Sequence, residues 1–278
     1  MPQYQCATNV EAQLAFQADF DIALDALLFD CPYEMYWYDK VSGVRYTYGL
    51  GQTGNDYTIT SLNIDMYVGA PYAGATAFTV NDIPAKVNTA ADAAASIVAE
   101  NQHVNDYPKL AAYKNAICEL VAYVHDAANA GDTYFSNTSV DPWQLISVFD
   151  GDNDTNVVCE GYSKAFQYLC DLSDFDGDIN VITVTGYMSG GTGEGPHMWN
   201  VVTMDDGKNY IVDVTNSEEG SVGQEGQFML GARKTTCLPM ILPLIRTILG
   251  AKRISLFAIR RRRCISLTMR ICPTPQTS

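Results

Sequence analysis

Cys159, His197 and Asp213 are the residues whose types and spacing could do chemistry together. A cysteine thiolate is a nucleophile, a neighbouring imidazole can take and return its proton, and a carboxylate can hold that imidazole in position. Such a set performs acyl transfer through a covalent thioester. For this chemistry, the fold must bring three separate segments of the chain together.

Cys159 lies in the first turn of a helix that the apolar spacing predicts over Val158–Cys170, with Thr155 or Asn156 as its cap. The backbone amides at a helix N-terminus lack partners within the helix, and the positive end of the helix dipole favours an anion there. A thiolate is therefore stabilised at this position. The same amides can donate hydrogen bonds to a developing oxyanion.

His197 opens a predicted strand, His197–Met204, directly after a glycine-rich loop and Pro196, so its ring can face a cleft. Asp213 interrupts an apolar run in the next predicted strand, Asn209–Thr215. A carboxylate without a partner would be costly to bury there, and an imidazole is a suitable partner.

The pairing of these two strands decides whether His197 can face Asp213. In an antiparallel hairpin, residue 197 faces residue 213 only if residue 202 faces residue 208, which leaves residues 203–207 as the loop. A tight turn at Asp206 and Gly207 would instead place Asn216 opposite His197. We predict the first register.

Three motifs contain these residues: VVCEGYSKAFQYLC, PHMWNVV and YIVDVT, in that order. Together they resemble the core motifs of the transglutaminase-like superfamily of bacterial proteins over about residues 84 to 231, and the segment ending VAYVHD resembles the family's preceding helix. The resemblance implies a papain-like fold, a triad of Cys159, His197 and Asp213, and a thiol acyl-enzyme cycle on a peptide or protein amide. It also implies a secreted or cell-surface location, as for many bacterial members.

Five further residues are candidates for contacts with the substrate or the oxyanion: Trp143, Gln144, Gly161, Tyr162 and Trp199. Trp143 or Gln144 could supply an oxyanion donor besides the Cys159 amide, although no motif fixes either. Tyr162 is more readily explained by packing. Trp199 either shields the cleft or belongs to the core.

No cofactor and no metal are expected. Two acidic runs, residues 150–154 and 174–178, alternate carboxylates as calcium loops do, but neither has a Glu at the twelfth loop position. The eight cysteines are irregularly spaced without a CxxC pair, which disfavours a zinc ribbon or a thioredoxin-type site. Cys170 is expected to be a small buried hydrophobe, and His103 and His125 are expected to be surface or capping residues.

The surrounding segments predict an α+β protein in which the helix that begins near Cys159 packs on an antiparallel sheet. Residues 1–82 form a small α+β region, with one helix over Val10–Asp30 and strands from Glu34 to Val68. Residues 83–231 form the transglutaminase-like domain. Its first two helices are predicted from alanine-rich segments at Pro84–Gln102 and Lys109–Ala130, and its first strand at Ile179–Thr185.

Charge is distributed unevenly along the chain. Residues 1–231 hold 7 Lys and Arg against 32 Asp and Glu, whereas residues 232–278 hold 10 and none. An acidic body repels phosphate backbones, so nucleic acid is not expected as a partner. The basic tail from Ala232 could bind a membrane surface or an acidic partner, but it shows no clear strands, and a frameshift in the source gene explains it better.

No membrane span is expected, because the longest apolar stretch, Leu238–Ile259, is interrupted by Arg246, Lys252 and Arg253. No pattern of a secretory signal is found from Met1 onward, so the location stays open. The sequence does not indicate an oligomeric state.

Two classes of function remain. The first is a cysteine peptidase, an amidase or a transglutaminase, and the sequence does not separate hydrolysis from transamidation. The alternative is a non-catalytic binding or structural module at the cell surface that keeps the fold, with residues 1–82 docking a partner.

Overall fold

The computed structural model describes residues 2–69, 72, 84–131, 141–188, 194–218, 229–231 and 270–273. The helices are α1 (Asn9–Asp30), α2 (Ala85–Glu100), α3 (Asp106–Leu120), α4 (His125–Ala130), α5 (Ile146–Phe149), α6 (Cys159–Asp171) and α7 (Val214–Glu218). The strands are β1 (Gln3–Gln5), β2 (Val44–Thr53), β3 (Asp56–Val68), β4 (Asn180–Met188), β5 (Gly195–Thr203), β6 (Asn209–Val212), β7 (Met229–Gly231) and β8 (Arg270–Pro273). Helices and largely antiparallel sheets confirm the α+β class. In the described part of the chain, no helix is long and apolar enough to cross a membrane.

The N-terminal sheet has the order β1-β3-β2 and is covered on one face by α1. Helix α1 begins at a capping box, in which the Thr8 hydroxyl accepts from the Glu11 amide at 3.2 Å and the Glu11 carboxylate accepts from the Thr8 amide. Phe16 and Phe20 of this helix pack on Ile59 of β3. The predicted helix and the alternation along the last predicted strand are both confirmed.

The first of the strands predicted from Glu34 onward, in the run YEMYWY at residues 33–38, is not formed. Residues 32–37 form turns, and Met35, Tyr36, Trp37 and Tyr38 are all buried in the main core. A strand on one face of a core buries alternate residues, so four buried residues in a row do not fit that pattern. Only Tyr38 takes part in a β-bridge, to Val68.

The helix predicted over Lys109–Ala130 is broken into α3 and α4 by an extended segment at residues 121–124. Here the Val157 amide donates to Ala122 O at 3.2 Å, and the Val124 amide donates to Val157 O at 3.0 Å. Pairing with Val157 therefore replaces helical hydrogen bonds and brings this segment beside the start of α6. Most of the VAYVHD segment is consequently extended rather than helical.

Helix α6 packs on the second sheet, an antiparallel meander of order β4-β5-β6-β7. Buried polar groups tie the helix to β5: the Ser163 hydroxyl donates to Met198 O at 2.9 Å, and the Asn200 side-chain amide donates to Ser163 O at 3.0 Å. Asn200 is wholly buried, so leaving its amide without acceptors would destabilise the fold. These bonds fix the helix that begins at Cys159 relative to the strand that contains His197.

The register between β5 and β6 differs from the predicted one by two residues. Asn200 faces Val212 and Thr203 faces Asn209, which leaves residues 204–208 as the loop, and β6 ends before Asp213. The tight-turn alternative, which would pair residue 197 with residue 216, is not formed either. A shift of two keeps every side chain on its original face of the sheet, so Asp213 stays on the side of His197.

The proposals made for the tail fall largely outside the described residues, which omit 232–269 and 274–278. Within the tail, β8 runs parallel to β3, with Asp65 facing Arg270, so the expectation that the tail lacks strands is wrong at this point. The main core contains residues from both predicted regions, including Trp37 and Val68 from the first and Phe166 and Val212 from the second.

Candidate active site

The side chains of His197 and Asp213 are hydrogen-bonded, with 2.9 Å between Nε2 and Oδ2. His197 lies on β5 and is buried, and Asp213 follows the last residue of β6. The Asp213 carboxylate also caps α7, because its Oδ1 accepts from the Asn216 amide at 3.1 Å. The Asn216 side-chain amide lies 2.7 Å from Asp213 Oδ2 and 3.3 Å from His197 Nε2. The backbone and side-chain amides of Asn216 thus hold the Asp213 carboxylate beside the imidazole.

Cys159 is the first residue of α6, and its thiol is hydrogen-bonded to the His197 ring. The thiol is half-buried and is not part of a disulfide. Because Nε2 of the ring is directed at Asp213, Nδ1 is the nitrogen left for the thiol. The structure therefore brings together all three residues that the sequence singled out, in the order thiol, imidazole and carboxylate.

The electrostatics of the site favour a charged imidazole. Burial by itself lowers the pKa of His197, but hydrogen bonds to Asp213 and Cys159 and the charges of both partners outweigh burial and raise this pKa to about 9. His197 is consequently an imidazolium at neutral pH.

The start of α6 has no side-chain cap among the described residues. Val158 occupies the capping position, and neither Thr155 nor Asn156 does so as predicted. Asn156 instead accepts from the Ala122 amide at 2.7 Å, which holds the extended segment in place. No described side chain therefore caps the first-turn amides of this helix.

Trp199 lies on the same face of β5 as His197, and the two rings are stacked with 5.9 Å between centroids and 22° between planes. The indole extends over Gly186, where a Cβ atom would come within 2.5 Å of Trp199 Cη2. Trp199 is half-buried and covers one side of the imidazole. Of the two interpretations that the sequence left open, this position favours shielding of the cleft.

Trp143 and Gln144 lie in the turn before α5, and both are almost fully buried. Trp143 packs with Val158, the residue before the nucleophile, and Pro142 O accepts from the Val158 amide at 3.0 Å. The Gln144 Oε1 atom is buried with no hydrogen-bond partner in the described part of the chain. The turn is therefore brought against the start of α6, and oxyanion donation by either residue stays a prediction.

Gly161 and Tyr162 face the interior rather than the cleft. A Cβ atom at Gly161 would lie 2.7 Å from Val157 Cβ and 3.0 Å from Pro142 O, so only glycine allows this close approach. Tyr162 is wholly buried, and its hydroxyl donates to Val121 O at 3.3 Å. The prediction that these two residues contact substrate is corrected to a packing role behind the site.

Two residues of the site were not found from the sequence. Tyr123 lies near the triad, where burial, followed by the charges of Cys159 and Asp213, raises the pKa of its hydroxyl to about 12. Lys40 pairs with Glu160, next to the nucleophile, across 120 positions of the chain. The signal for Tyr123 was its place in the VAYVHD motif. No local signal points to Lys40.

The carboxylates of the first acidic run, residues 150–154, make hydrogen bonds within the run. The Asp150 carboxylate accepts from the Asp152 amide at 2.9 Å, and the Asp152 carboxylate accepts from the Asp154 amide at 3.0 Å, so these side chains stabilise turns. Among the described residues, no group of three His, Cys, Asp or Glu could hold a metal ion.

Comparison with known proteins gives limited information. No family model and no curated protein matches the chain. A solved structure described as "Crystal structure of a TGase" is similar to it with a TM-score of 0.38 and 15% sequence identity, and the match covers 72% of this chain and 49% of that chain. The chain thus spans about half the length of that structure.

Proposed function

We propose that this protein catalyses thiol-dependent acyl transfer on a peptide or protein amide, with a transglutaminase-like, papain-type core. Cys159 is the nucleophile, His197 is the acid and base, and Asp213 orients the ring. The observation that supports the proposal best is the position of the His197 ring, which is hydrogen-bonded to the Cys159 thiol and the Asp213 carboxylate at once. These are the contacts that such a reaction requires.

In the first half of the reaction, the Cys159 thiolate attacks the carbonyl carbon of the amide and forms the C–S bond. The carbonyl oxygen becomes an oxyanion, which the first-turn amides of α6 stabilise. The His197 imidazolium then gives its proton to the amide nitrogen, the C–N bond breaks, and ammonia or an amine leaves. A thioester on Cys159 remains.

In the second half, water or an amine attacks the thioester. His197 takes a proton from the attacking group, the C–S bond breaks, and Cys159 returns as a thiolate beside the imidazolium. Water as the acceptor makes the protein a peptidase or an amidase, and an amine makes it a transglutaminase. Asp213 keeps Nε2 protonated throughout, so that Nδ1 is the nitrogen that exchanges protons.

The test is alkylation of the thiols by iodoacetamide between pH 5 and pH 8, with each labelled cysteine located by mass spectrometry. Cys159 should react faster than Cys6, Cys31 and Cys170 at pH 6, because a thiolate reacts and a thiol does not. His197→Ala should remove this advantage. His103→Ala is the matched control, since His103 is exposed in the turn after α2, and it should change nothing.

The opposite result has a clear meaning. If Cys159 reacts no faster than the other cysteines in the wild-type protein, or if it is found in a disulfide, the catalytic proposal fails. The non-catalytic binding module then takes its place.

A further inference from the structure

A largely buried cluster of charges lies at the first turn of α6. The Glu160 carboxylate accepts from Lys40 Nζ at 2.7 Å through Oε2 and from Lys164 Nζ at 2.7 Å through Oε1. The Glu160 side chain is 14% exposed and that of Lys164 is 4% exposed. Glu160 immediately follows Cys159 in the chain, so the cluster belongs to the same helical turn as the thiol.

The two lysines reach Glu160 by different routes. Lys164 is four residues further along the same helix, so α6 forms that pair by itself. Lys40 comes from the turn before β2, in the N-terminal region, 120 residues away. Its ion pair therefore forms only when the N-terminal region is docked against α6.

Lys40 also contacts the turn before α5. Its Nζ lies 5.2 Å from the centroid of the Trp143 ring, within the range of a cation–π interaction. The same indole packs with Val158, which precedes Cys159. Lys40 thus touches groups on both sides of the nucleophile in sequence: Glu160 directly, and Val158 through Trp143.

The charges in the cluster make Lys40 important for the thiolate. Burial tends to raise the pKa of Glu160, but the two lysines outweigh burial and lower it, so Glu160 is ionised. Asp141 adds a second carboxylate nearby; burial raises its pKa to about 6, and it is therefore mostly ionised at neutral pH. Two lysines balance two carboxylates at neutral pH. Loss of Lys40 would leave a net negative charge beside the thiolate, which disfavours that anion.

We propose that Lys40 is a positioning residue for the reaction at Cys159. Its ion pair with Glu160 and its contact with Trp143 fix the first turn of α6 and balance the buried negative charge next to the nucleophile. The N-terminal region is then a part of the working site and not a separate docking module. This inference rests on the proposed function of Cys159.

The experiment measures the iodoacetamide rate of Cys159 against pH in the full chain. Lys40→Met should slow alkylation at pH 6 by about tenfold and move the midpoint of the rate profile upward by about one pH unit. Buried Cys170 should stay unlabelled in this variant, as in the wild-type protein, which a general loss of structure would not allow. Lys40→Arg should restore most of the rate, since guanidinium retains the charge.

A control and a second variant make the outcome decisive. Lys86→Met removes another lysine pair, with Asp150 at 2.8 Å, and should leave the Cys159 profile unchanged. Glu160→Gln combined with Lys40→Met removes one charge of each sign, so this double variant should recover the part of the rate lost through the charge imbalance and react several-fold faster than Lys40→Met. It also provides the measurement if Lys40→Met alone does not fold.

The results separate this inference from the proposed function. If wild-type Cys159 shows no early alkylation, the proposed function fails before Lys40 is considered. If wild-type Cys159 is activated and Lys40→Met has the same rate profile, the role of Lys40 is overturned and the proposed function stands. A double variant as slow as Lys40→Met would likewise contradict action through Glu160.

Discussion

Gly186 faces His197 across strands β4 and β5, and the space above this glycine is filled by the indole that stacks on the imidazole. A methyl group at Gly186 would lie 2.5 Å from Trp199 Cη2, which is too close for both to keep their positions. We expect Gly186→Ala to displace Trp199 and with it the His197 ring. The expected result is a loss of about 1 to 3 kcal/mol in the free energy of unfolding and slower alkylation of Cys159 at pH 6.

Gly49→Ala is the matched control for this substitution. A Cβ atom at Gly49 would be equally crowded, at 2.5 Å from Thr60 Oγ1 and 2.8 Å from Ser61 Oγ. Gly49, however, belongs to β2 and pairs with β3 in the N-terminal sheet. This variant should lose stability in chemical denaturation without any change in the reactivity of Cys159. Equal alkylation rates in the two glycine variants would refute the role of Trp199 in placing the imidazole.

Asp213→Asn should lower the pKa of His197. Asparagine can keep an oxygen at the position of Oδ1, which accepts from the Asn216 backbone amide, so α7 stays capped. Its NH2 group then replaces Oδ2 opposite the ring, and the carboxylate charge and the acceptor that help to raise the pKa of His197 to about 9 are both lost. The chain has only 3 histidines, which makes a titration by proton NMR feasible. We expect the midpoint of His197 to fall by at least about one pH unit. An unchanged titration midpoint would mean that the charge of Asp213 does not stabilise the protonated His197 ring.

In a Cys159→Ala variant, the stability of the protein should fall between pH 6.5 and pH 9 because of His197. The variant is needed because a thiolate at residue 159 would release a proton on folding and offset the proton that the imidazole gains. The pKa of His197 is raised on folding, from 6.5 to about 9 in the wild-type protein, so in this window the folded imidazole holds a proton that the unfolded one has lost. Denaturation at a series of pH values should show a contribution of about 1 to 3 kcal/mol, which disappears as the pH rises through the folded pKa. If adding His197→Ala leaves this decline unchanged, another group causes it.

Asp141→Asn should change how the free energy of unfolding depends on pH in the acidic range. Burial is the main cause that raises the pKa of Asp141 to about 6, so its contribution to stability is best below pH 3.8 and declines as the pH rises to 6. Asparagine can still accept from the Trp143 amide, as Asp141 Oδ1 does at 3.0 Å. Relative to wild type, the variant should gain about 2 to 3 kcal/mol in unfolding free energy between pH 4 and pH 7. Thermal unfolding at both pH values checks this, and a constant difference between the two proteins would contradict it.

Local sequence patterns predicted much of the fold correctly. Helix α1 follows from Thr8 and its apolar spacing, the strand ending at Val68 follows from its alternation, and α6 follows from its period. The positions of Cys159 at a helix start and of His197 on a strand were likewise predicted from the motifs around them. In each case, neighbouring residues carry the information.

The features that were missed depend on contacts between distant segments. The extended break after Leu120 forms because Val157 supplies the backbone partners, and the residues after Cys31 stay out of a strand because the core surrounds them on all sides. The pairing of β5 with β6 differs by two residues because the hairpin loop begins at Met204, one residue later than predicted. Lys40 reaches Glu160 across 120 residues, and no local pattern encodes that contact.

Helix α6 begins without a side-chain cap from any described residue, and this links folding stability to the proposed reaction. A hydroxyl at the capping position, as in Val158→Thr, would occupy one of the backbone donors and could stabilise a helix by about 1 kcal/mol. Under the proposed function, that donor would no longer be available to a tetrahedral intermediate on Cys159. Selection for thermal stability alone would then favour a capped helix, and the variants obtained should be more stable proteins with lower activity.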